Sequence, residues 1–272
     1  MKRTVGFWAL AVVMMLLLAV WQRLSGPTHP LRFDEQIADF QVSGSLLRTH
    51  STSAPMPVAI NVNAGGEPVS GTLVWRRYPS GESWTRVDLV LTEGELRAEI
   101  PAQPSAGKVE YRIELQHVGT TTLLPAEEPV VARYKDDVPL GFLLPHILCM
   151  MLVLLWASRA GLEATVAGPG LKRQALVTLG LLVVGGLVFG PIVQKYAFGA
   201  YWTGWPLGQD LTDNKVAIAA LAWLNAVVQL RTRRGGRWAV LVAAVVTLVI
   251  FAIPHSLRGS TLDYDSGQTL TG

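Results

Sequence analysis

The sequence is poor in cysteine, in charged residues and in catalytic motifs. Its 272 residues include one cysteine, Cys149, and only 16% are Asp, Glu, Lys or Arg. A single thiol excludes an intramolecular disulfide framework and a metal cluster held by several cysteines of one chain. The sequence contains no phosphate-binding glycine loop, Cys-x-x-Cys-His haem attachment, His-Glu-x-x-His motif or Gly-x-Ser-x-Gly elbow. A non-catalytic role is therefore favoured over an enzyme.

Apolar residues make up half of the chain, and the mean hydropathy is +0.34. These values lie between those of soluble and polytopic proteins, which indicates a chain that is part membrane-embedded and part globular. The formal net charge is +3, and the basic residues stand beside apolar runs instead of forming a basic face. Nucleic acid is therefore excluded as a partner, whereas the lipid bilayer is expected to be one.

Five apolar runs predict membrane spans. They cover residues 5–21, 139–157, 175–193, 216–230 and 238–253. The last two are shorter than the minimum of ~17 residues that a bilayer core requires, so they span only if the membrane thins or their ends snorkel. The first run follows Lys2 and Arg3 and is interpreted as an uncleaved signal anchor within residues 1–22, with a cleaved signal peptide as the alternative.

Basic residues of the short segments are unevenly distributed between the two sides of the predicted membrane region. With the N-terminus inside, the inner side carries Lys2, Arg3, Arg159, Lys172, Arg173, Arg231, Arg233, Arg234 and Arg237, and the outer side carries Lys195, Lys215 and Arg258. The positive-inside rule then predicts a multi-pass protein of a bacterial inner membrane with a cytoplasmic N-terminus. Residues 31–135 and the tail at residues 254–272 are expected in the periplasm.

Residues 31–135 show a different pattern, in which apolar and polar residues alternate with a period of two. The alternation is clearest at residues 57–62, 71–76, 86–91, 96–100 and 109–115, and turn residues such as Gly65-Gly66 separate the runs. About seven short strands in about a hundred residues are typical of an immunoglobulin-like sandwich. The predicted fold class is mixed: a polytopic α-helical membrane protein of five spans with an inserted all-β sandwich.

A family resemblance supports this interpretation. The order LVWRRY at residues 73–78, SWTRV at 83–87, LRAEIP at 96–101 and VEYRIEL at 109–115 resembles fibronectin type III and related bacterial immunoglobulin-like domains. The resemblance covers residues 46–134 and does not extend to the membrane half. It implies a binding or spacer module and brings no catalytic residue.

The outer loop at residues 194–214, within the helical region at residues 139–253, is the candidate functional surface. Tyr201, Trp202 and Trp205 are interleaved there with glycines and a proline. Aromatic belts at membrane interfaces explain some of these aromatic residues, but the glycines and the proline predict a compact loop with a docking face. Asp213 is expected to cap the following helix, which leaves Asp210 as the carboxylate predicted to contact a partner.

Two histidines offer another function. His146 and Cys149 lie one turn apart in the second span, and His255 stands at the outer end of the last span. An ionisable residue inside a membrane is a functional candidate because its burial costs free energy. His146 and His255 are candidate ligands of a haem, or of copper or zinc with Cys149 and Asp210 completing the metal site. Hydrogen bonding and packing within the bundle are the alternative roles.

Together these features predict a non-catalytic inner-membrane subunit or assembly factor. It would bind membrane or periplasmic proteins through the sandwich and the aromatic residues Tyr201, Trp202 and Trp205. The alternative is a haem- or metal-binding redox membrane protein that uses His146 and His255. A hydrolase built on Asp210, Asp213 and His255 is less favoured, since the sequence shows no nucleophile for it.

Overall fold

The computed structural model describes residues 2–37, 40–63, 69–232, 235–255 and 259–271. The chain forms two compact units. The helical unit contains Met1–Gly26, Val138–Ser260 and Thr271–Gly272, and the β unit contains Pro27–Asp137 and Thr261–Leu270. The predicted turn at Gly65-Gly66 and the basic residues Arg233, Arg234 and Arg258 lie outside the described residues.

In its described residues, the helical unit contains six α-helices and one π-helical segment. They are α1 Lys2–Ser25, α2 Leu140–Thr165, α3 Leu171–Leu182, the π-helical segment Val183–Phe189, α4 Gly190–Phe198, α5 Leu211–Thr232 and α6 Gly236–Ala252. The segment from α3 to α4 is continuous and helical. Three helical stretches are long and apolar enough to cross a membrane: Arg3–Ser25, Leu140–Thr165 and Leu171–Phe198. The structure thus supports three of the five predicted spans.

The other two predicted spans do not meet the criteria of length and hydropathy for a membrane span, and the reason differs between them. Helix α6 is apolar but has only 17 residues. Helix α5 has 22 residues, but polar side chains such as Asp213, Lys215, Asn225 and Gln229 interrupt its apolar character. Gln229 donates a hydrogen bond to Asn225 within the same helix, at 3.1 Å, so this amide pair does not join two helices.

Small residues bring the helices close together. The buried core of the helical unit includes Ala157, Ala160, Ala164, Ala219, Ala226, Ala239, Ala243 and Ala244. At Gly161 a Cβ atom would lie 2.9 Å from the Cβ of Ala244, so α2 and α6 approach more closely than most side chains allow. The fully buried Trp223 donates its indole N–H to Thr247 Oγ1 at 2.9 Å, which joins α5 to α6 by a polar contact.

The end of the bundle near Thr165 holds a buried ion pair. The predicted span ends at residue 157, which would place Arg159 in a connecting segment. In the structure α2 continues to Thr165, so Arg159 lies within the helix. Its guanidinium is buried against Glu163 at 2.6 Å and lies 5.3 Å from the ring centroid of Phe7. The aromatic ring and the carboxylate together stabilise the charge of Arg159 inside the bundle.

The β unit has two sheets that face each other across an apolar core. Its strands are β1 Leu31–Ile37, β2 Phe40–Leu46, β3 Thr49–Ser51, β4 Met56–Asn63, β5 Ser70–Tyr78, β6 Thr85–Asp88, β7 Val90–Thr92, β8 Glu95–Ile100, β9 Lys108–His117, β10 Thr120–Leu124 and β11 Val130–Lys135. One sheet has the order β1-β2-β4-β8-β7, and the other has β3-β11-β9-β5-β6 with β10 beside β9. This arrangement is compatible with an immunoglobulin-like module.

The strand prediction was correct for β4, β5, β8 and β9 but wrong at residues 86–91. That run is divided at the buried Leu89 into β6 and β7, which belong to different sheets. The N–H of Leu89 donates to the carbonyl of Gly71 at 2.8 Å, where the chain crosses between the sheets. Alternation alone does not show such a crossing, because the period of two continues through it.

The last described residues form β12 Ser260–Leu262 and β13 Thr269–Thr271, which pair with each other. Residues 261–270 of this hairpin belong to the β unit and contact its other residues. The N–H of Leu262 donates to Ala106 O at 2.9 Å, and the hydroxyl of Tyr264 donates to Lys108 O at 3.0 Å. The guanidinium of Arg77 lies 4.9 Å from the Tyr264 ring centroid.

Candidate functional site

The first turn of α5 holds the loop that follows α4. We call residues 199–210 the aromatic loop. Asp213 Oδ2 accepts hydrogen bonds from the backbone N–H groups of Thr203 at 2.7 Å and Gly204 at 3.0 Å, and from Gln194 Nε2 at 3.1 Å. Gly204 permits this approach, because a Cβ atom there would lie 2.6 Å from the Cβ of Asp213. The carboxylate of Asp213 therefore fixes the fold of the loop.

Asp210 caps α5. The prediction that Asp213 caps this helix is therefore wrong. Asp210 Oδ1 accepts the N–H of Thr212 at 2.8 Å, in the first turn of the helix. Its Oδ2 accepts the N–H of Ser260 at 3.0 Å and the hydroxyls of Ser260 and Thr203, both at 3.2 Å. Only 4% of Asp210 is exposed. The prediction that Asp210 contacts a partner or a metal therefore gains no support.

The outer surface of the aromatic loop is apolar. The exposed fractions are 60% for Tyr201, 76% for Trp205 and 78% for Leu207. Trp202 points its indole N–H to the carbonyl of Trp205 at 3.1 Å, so this polar group is satisfied within the loop. The exposure of Leu207 was not predicted, because a single leucine beside a glycine gives no sequence pattern that indicates exposure. The loop thus has polar contacts inside and large apolar side chains outside.

His146 lies against the π-helical segment. Its Nδ1 is 2.9 Å from the carbonyl oxygen of Gly185. Because a carbonyl oxygen only accepts hydrogen bonds, Nδ1 is the protonated nitrogen and its N–H donates this hydrogen bond. The other ring nitrogen, Nε2, then has a free electron pair, and it makes no hydrogen bond with any residue that the structure describes. A Cβ atom at Gly190 would lie 3.6 Å from the ring carbon Cε1, so glycine leaves space beside the imidazole.

His255 follows the end of α6 and shares its neighbourhood with His146. The residue as a whole is exposed, yet the surrounding protein lowers the pKa of its ring. Burial lowers the pKa of His255 to about 4, the charges of Lys215 and His146 lower it further, and Asp210 opposes them. The imidazole of His255 is therefore neutral at pH 7 and has an electron pair available. The charges of His146, Lys215 and Asp210 all act on His255, and the shared histidine site stays a prediction.

Lys215 stabilises the end of α6. The sequence did not predict it as a site residue. The residue is buried, and its ammonium donates to the carbonyls of Ile253 at 2.9 Å and Pro254 at 3.0 Å. Two side chains of α1 complete this end, since Trp21 donates to Ala252 O at 2.8 Å and Gln22 donates to Phe251 O. These contacts satisfy carbonyls that have no partner within the helix.

The predicted metal ligands His146, Cys149, His255 and Asp210 gain no support from the described residues. Among the described residues, no three His, Cys, Asp or Glu side chains lie together in a way that holds one ion. Cys149 instead packs on the π-helical segment, where a Cβ atom at Gly185 would lie 2.4 Å from its own Cβ. The two histidines remain as candidate ligands of a cofactor that needs one or two nitrogen ligands.

No protein-family model matches the chain, and no curated protein is detectably similar to it in sequence. The geometry of the aromatic loop and of the two histidines is therefore the basis for inferring function. The aromatic loop is suited to binding, since its polar groups bond to one another. The histidines are suited to ligation, since His146 has its second nitrogen unpaired within the described residues.

Proposed function

We propose that this protein is a non-catalytic membrane subunit or assembly factor that binds a partner protein through its aromatic loop. One observation carries the proposal: the carboxylates of Asp210 and Asp213 are bonded inside the loop, while Tyr201, Trp205 and Leu207 are exposed. In such an arrangement both carboxylates stabilise the fold of the loop. The loop offers a preorganised apolar surface of the kind that forms the centre of protein interfaces.

The hydrogen bonds of the loop favour a protein over lipid headgroups as its partner. Tryptophans of an interfacial belt use the indole N–H towards headgroups and water. In the aromatic loop the indole N–H of Trp202 is bonded to Trp205 O, and the backbone N–H of Trp205 is bonded to Asn214 Oδ1 at 2.7 Å. These contacts hold the loop in one shape, and complementary packing against a second protein requires a defined shape.

We further propose that α5 and α6 lie in the membrane with the three longer stretches, as a five-span bundle whose first helix is a signal anchor. Support comes from their shared core, in which Trp223 and Val240 pack with Val153 of α2. The membrane would be a bacterial inner membrane with the N-terminus in the cytoplasm. The fibronectin-like module and the aromatic loop would then lie in the periplasm. Arg159 and Lys215 are both buried, and without them the basic residues still favour the inner side.

Site-specific photo-cross-linking tests the binding function. A photoreactive residue replaces Trp205 in the full-length protein, and a matched variant carries it in place of Val118, which is 78% exposed in the β unit. In native membranes we expect a discrete protein adduct at position 205, and its loss when Leu207→Ser is added. Adducts with lipid alone at position 205, or an unchanged adduct in the Leu207→Ser variant, would contradict the proposal.

A second candidate function is cofactor binding by the two histidines. The specific observation is the hydrogen bond from His146 Nδ1 to Gly185 O, which orients the ring and leaves Nε2 as a ligand. Haem b added to the purified full-length protein tests this function by its absorption spectrum. We expect a Soret shift that His146→Ala abolishes and Cys149→Ala preserves. An unshifted Soret band in the unsubstituted protein would exclude haem.

A further inference from the structure

We propose that two copies of this chain associate by antiparallel pairing of their β1 strands, which joins two five-stranded sheets into one. This inference goes beyond the proposed function, because it does not depend on the aromatic loop or on the histidines. It assigns the partner of a surface in the β unit, and that partner is a second copy of the chain.

The first observation is the position of β1 at the edge of its sheet. In the part of the chain that the structure describes, β1 pairs with β2 alone, over the seven residue pairs from Leu31↔Leu46 to Ile37↔Phe40. The other outermost strands are shorter, with three residues in β7, three in β3 and four in β6. A long edge strand presents backbone N–H and C=O groups that another strand can pair with.

The second observation is the charge pattern along β1. In an antiparallel pair of identical edge strands, the same residues turn their backbone groups outward in both copies. A residue can therefore stand opposite only itself or a residue that is an even number of positions away. In each such register one central residue stands opposite the same residue of the second copy. Four registers have their central residue within Arg32–Glu35, and that residue is Arg32, Phe33, Asp34 or Glu35.

Only one of these registers avoids like charges directly opposite each other. Centring on Arg32, Asp34 or Glu35 places two identical charges in contact, which is destabilising. Centring on Phe33 places Arg32 opposite Asp34 of the second copy, and the symmetry of the pair repeats this contact. The strand is thus complementary to itself in one register, with two opposite-charge pairs flanking an aromatic pair. The charges determine the register and the partner more than the affinity.

The surroundings of β1 leave space for a second strand. Arg32, Asp34, Glu35 and Gln36 are exposed, and Phe33 is half-buried with its ring across Gly44, where a Cβ atom would lie 3.0 Å from the ring carbon Cζ. A cavity of about 830 Å³ borders the strand, and residues 124–131 of the same chain contribute most of its remaining lining. Confinement of both copies to one membrane would raise their effective concentration and favour weak edge pairing.

Cysteine cross-linking tests the register. In a Cys149→Ser background the full-length protein carries Phe33→Cys, Asp34→Cys or Gln36→Cys, and its membranes are oxidised. We expect disulfide-linked dimers for Phe33→Cys, since opposite Cβ atoms lie about 4.5–5.5 Å apart, and little cross-linking at the other two positions. Stronger cross-linking at position 34 or 36 than at position 33 would overturn the register and with it the charge argument.

A charge exchange tests whether the two opposite-charge pairs hold the dimer. We expect Arg32→Asp alone and Asp34→Arg alone to weaken dimerisation about tenfold, because each single change places like charges opposite each other. The double variant exchanges both charges and is expected to restore dimerisation, which also shows that the strand still folds. The measurement is the dimer fraction of purified full-length protein in lipid nanodiscs. A monomeric unsubstituted protein, or a double variant as weak as the single variants, would overturn the proposal.

Discussion

Asp210 and Asp213 show how two carboxylates three residues apart acquire different structural roles. Asp213 holds Thr203 and Gly204 of the aromatic loop, whereas Asp210 caps α5 and binds Ser260. Both residues act before any partner arrives, because they fix the shape that exposes Trp205. At the scale of single residues, the shape of the proposed binding surface therefore depends on buried polar groups.

Replacing Asp210 tests this role. We expect Asp210→Ala to lower the free energy of unfolding by about 2–4 kcal/mol, since the helix cap contributes ~1 kcal/mol and the buried N–H of Ser260 loses its acceptor. Asp265→Ala, a change at an exposed residue, should alter stability by less than ~0.5 kcal/mol. Unfolding in detergent, followed by tryptophan fluorescence, measures both. Equal stability of the two variants would show that Asp210 is not a structural carboxylate.

The π-helical segment Val183–Phe189 is the unusual element of the helical unit. Its Gly185 packs against Cys149, and a Cβ atom at Gly186 would lie 2.7 Å from Val216 Cγ1. The carbonyl of Gly185 accepts a hydrogen bond from His146 Nδ1. Gly185 and Gly186 thus allow close helix approach within the chain. A wider helical turn with two glycines lets α2 and α5 contact the same stretch of backbone.

Two glycine replacements in this continuous helical stretch should have opposite effects. We expect Gly185→Ala to destabilise the protein by about 1–3 kcal/mol, because the new Cβ would meet the Cys149 Cβ at 2.4 Å. At Gly180 no atom lies within 4 Å of a new Cβ, so Gly180→Ala should be neutral or stabilising through helix propensity. The thermal midpoints of the purified variants in detergent compare them. A stable Gly185→Ala protein would contradict the packing described at this site.

The whole molecule combines a helical unit with apolar stretches long enough for a membrane and a β unit with its own core. Its proposed orientation depends on basic residues that remain on the inner side after the buried Arg159 and Lys215 are set aside. The rule that relates such residues to the cytoplasm concerns charges near the ends of spans, so exposed basic residues are the ones that count.

Thiol labelling of intact cells tests the orientation. In a Cys149→Ser background, we expect Val118→Cys in the β unit to react with a membrane-impermeant maleimide added outside. Lys172→Cys, at the start of α3, should react only after the inner membrane is permeabilised. Both positions are exposed, so a difference reports the side of the membrane. The reverse pattern would invert the proposed orientation.

Much of the secondary structure was predictable from local patterns, but the site was predictable only in part. Apolar runs located the helices, and alternation located β4, β5, β8 and β9, because both patterns reflect which faces are buried. The exposed Tyr201 and Trp205 were identified by composition. The roles of Asp210 and Lys215 were not, because their partners Ser260 and Ile253 lie about 40 to 50 residues further along the chain.

By itself, the sequence determined that the chain has apolar helices, an alternating β region and an aromatic loop, since hydrophobic periodicity follows directly from residue order. Only the tertiary structure decided which carboxylate caps α5, where residues 86–91 change sheets and which nitrogen of His146 is engaged. It also showed that the predicted metal ligands do not assemble among the described residues. The physical reason is the same in each case: a hydrogen bond between distant segments depends on how the elements pack, and no local pattern records that packing.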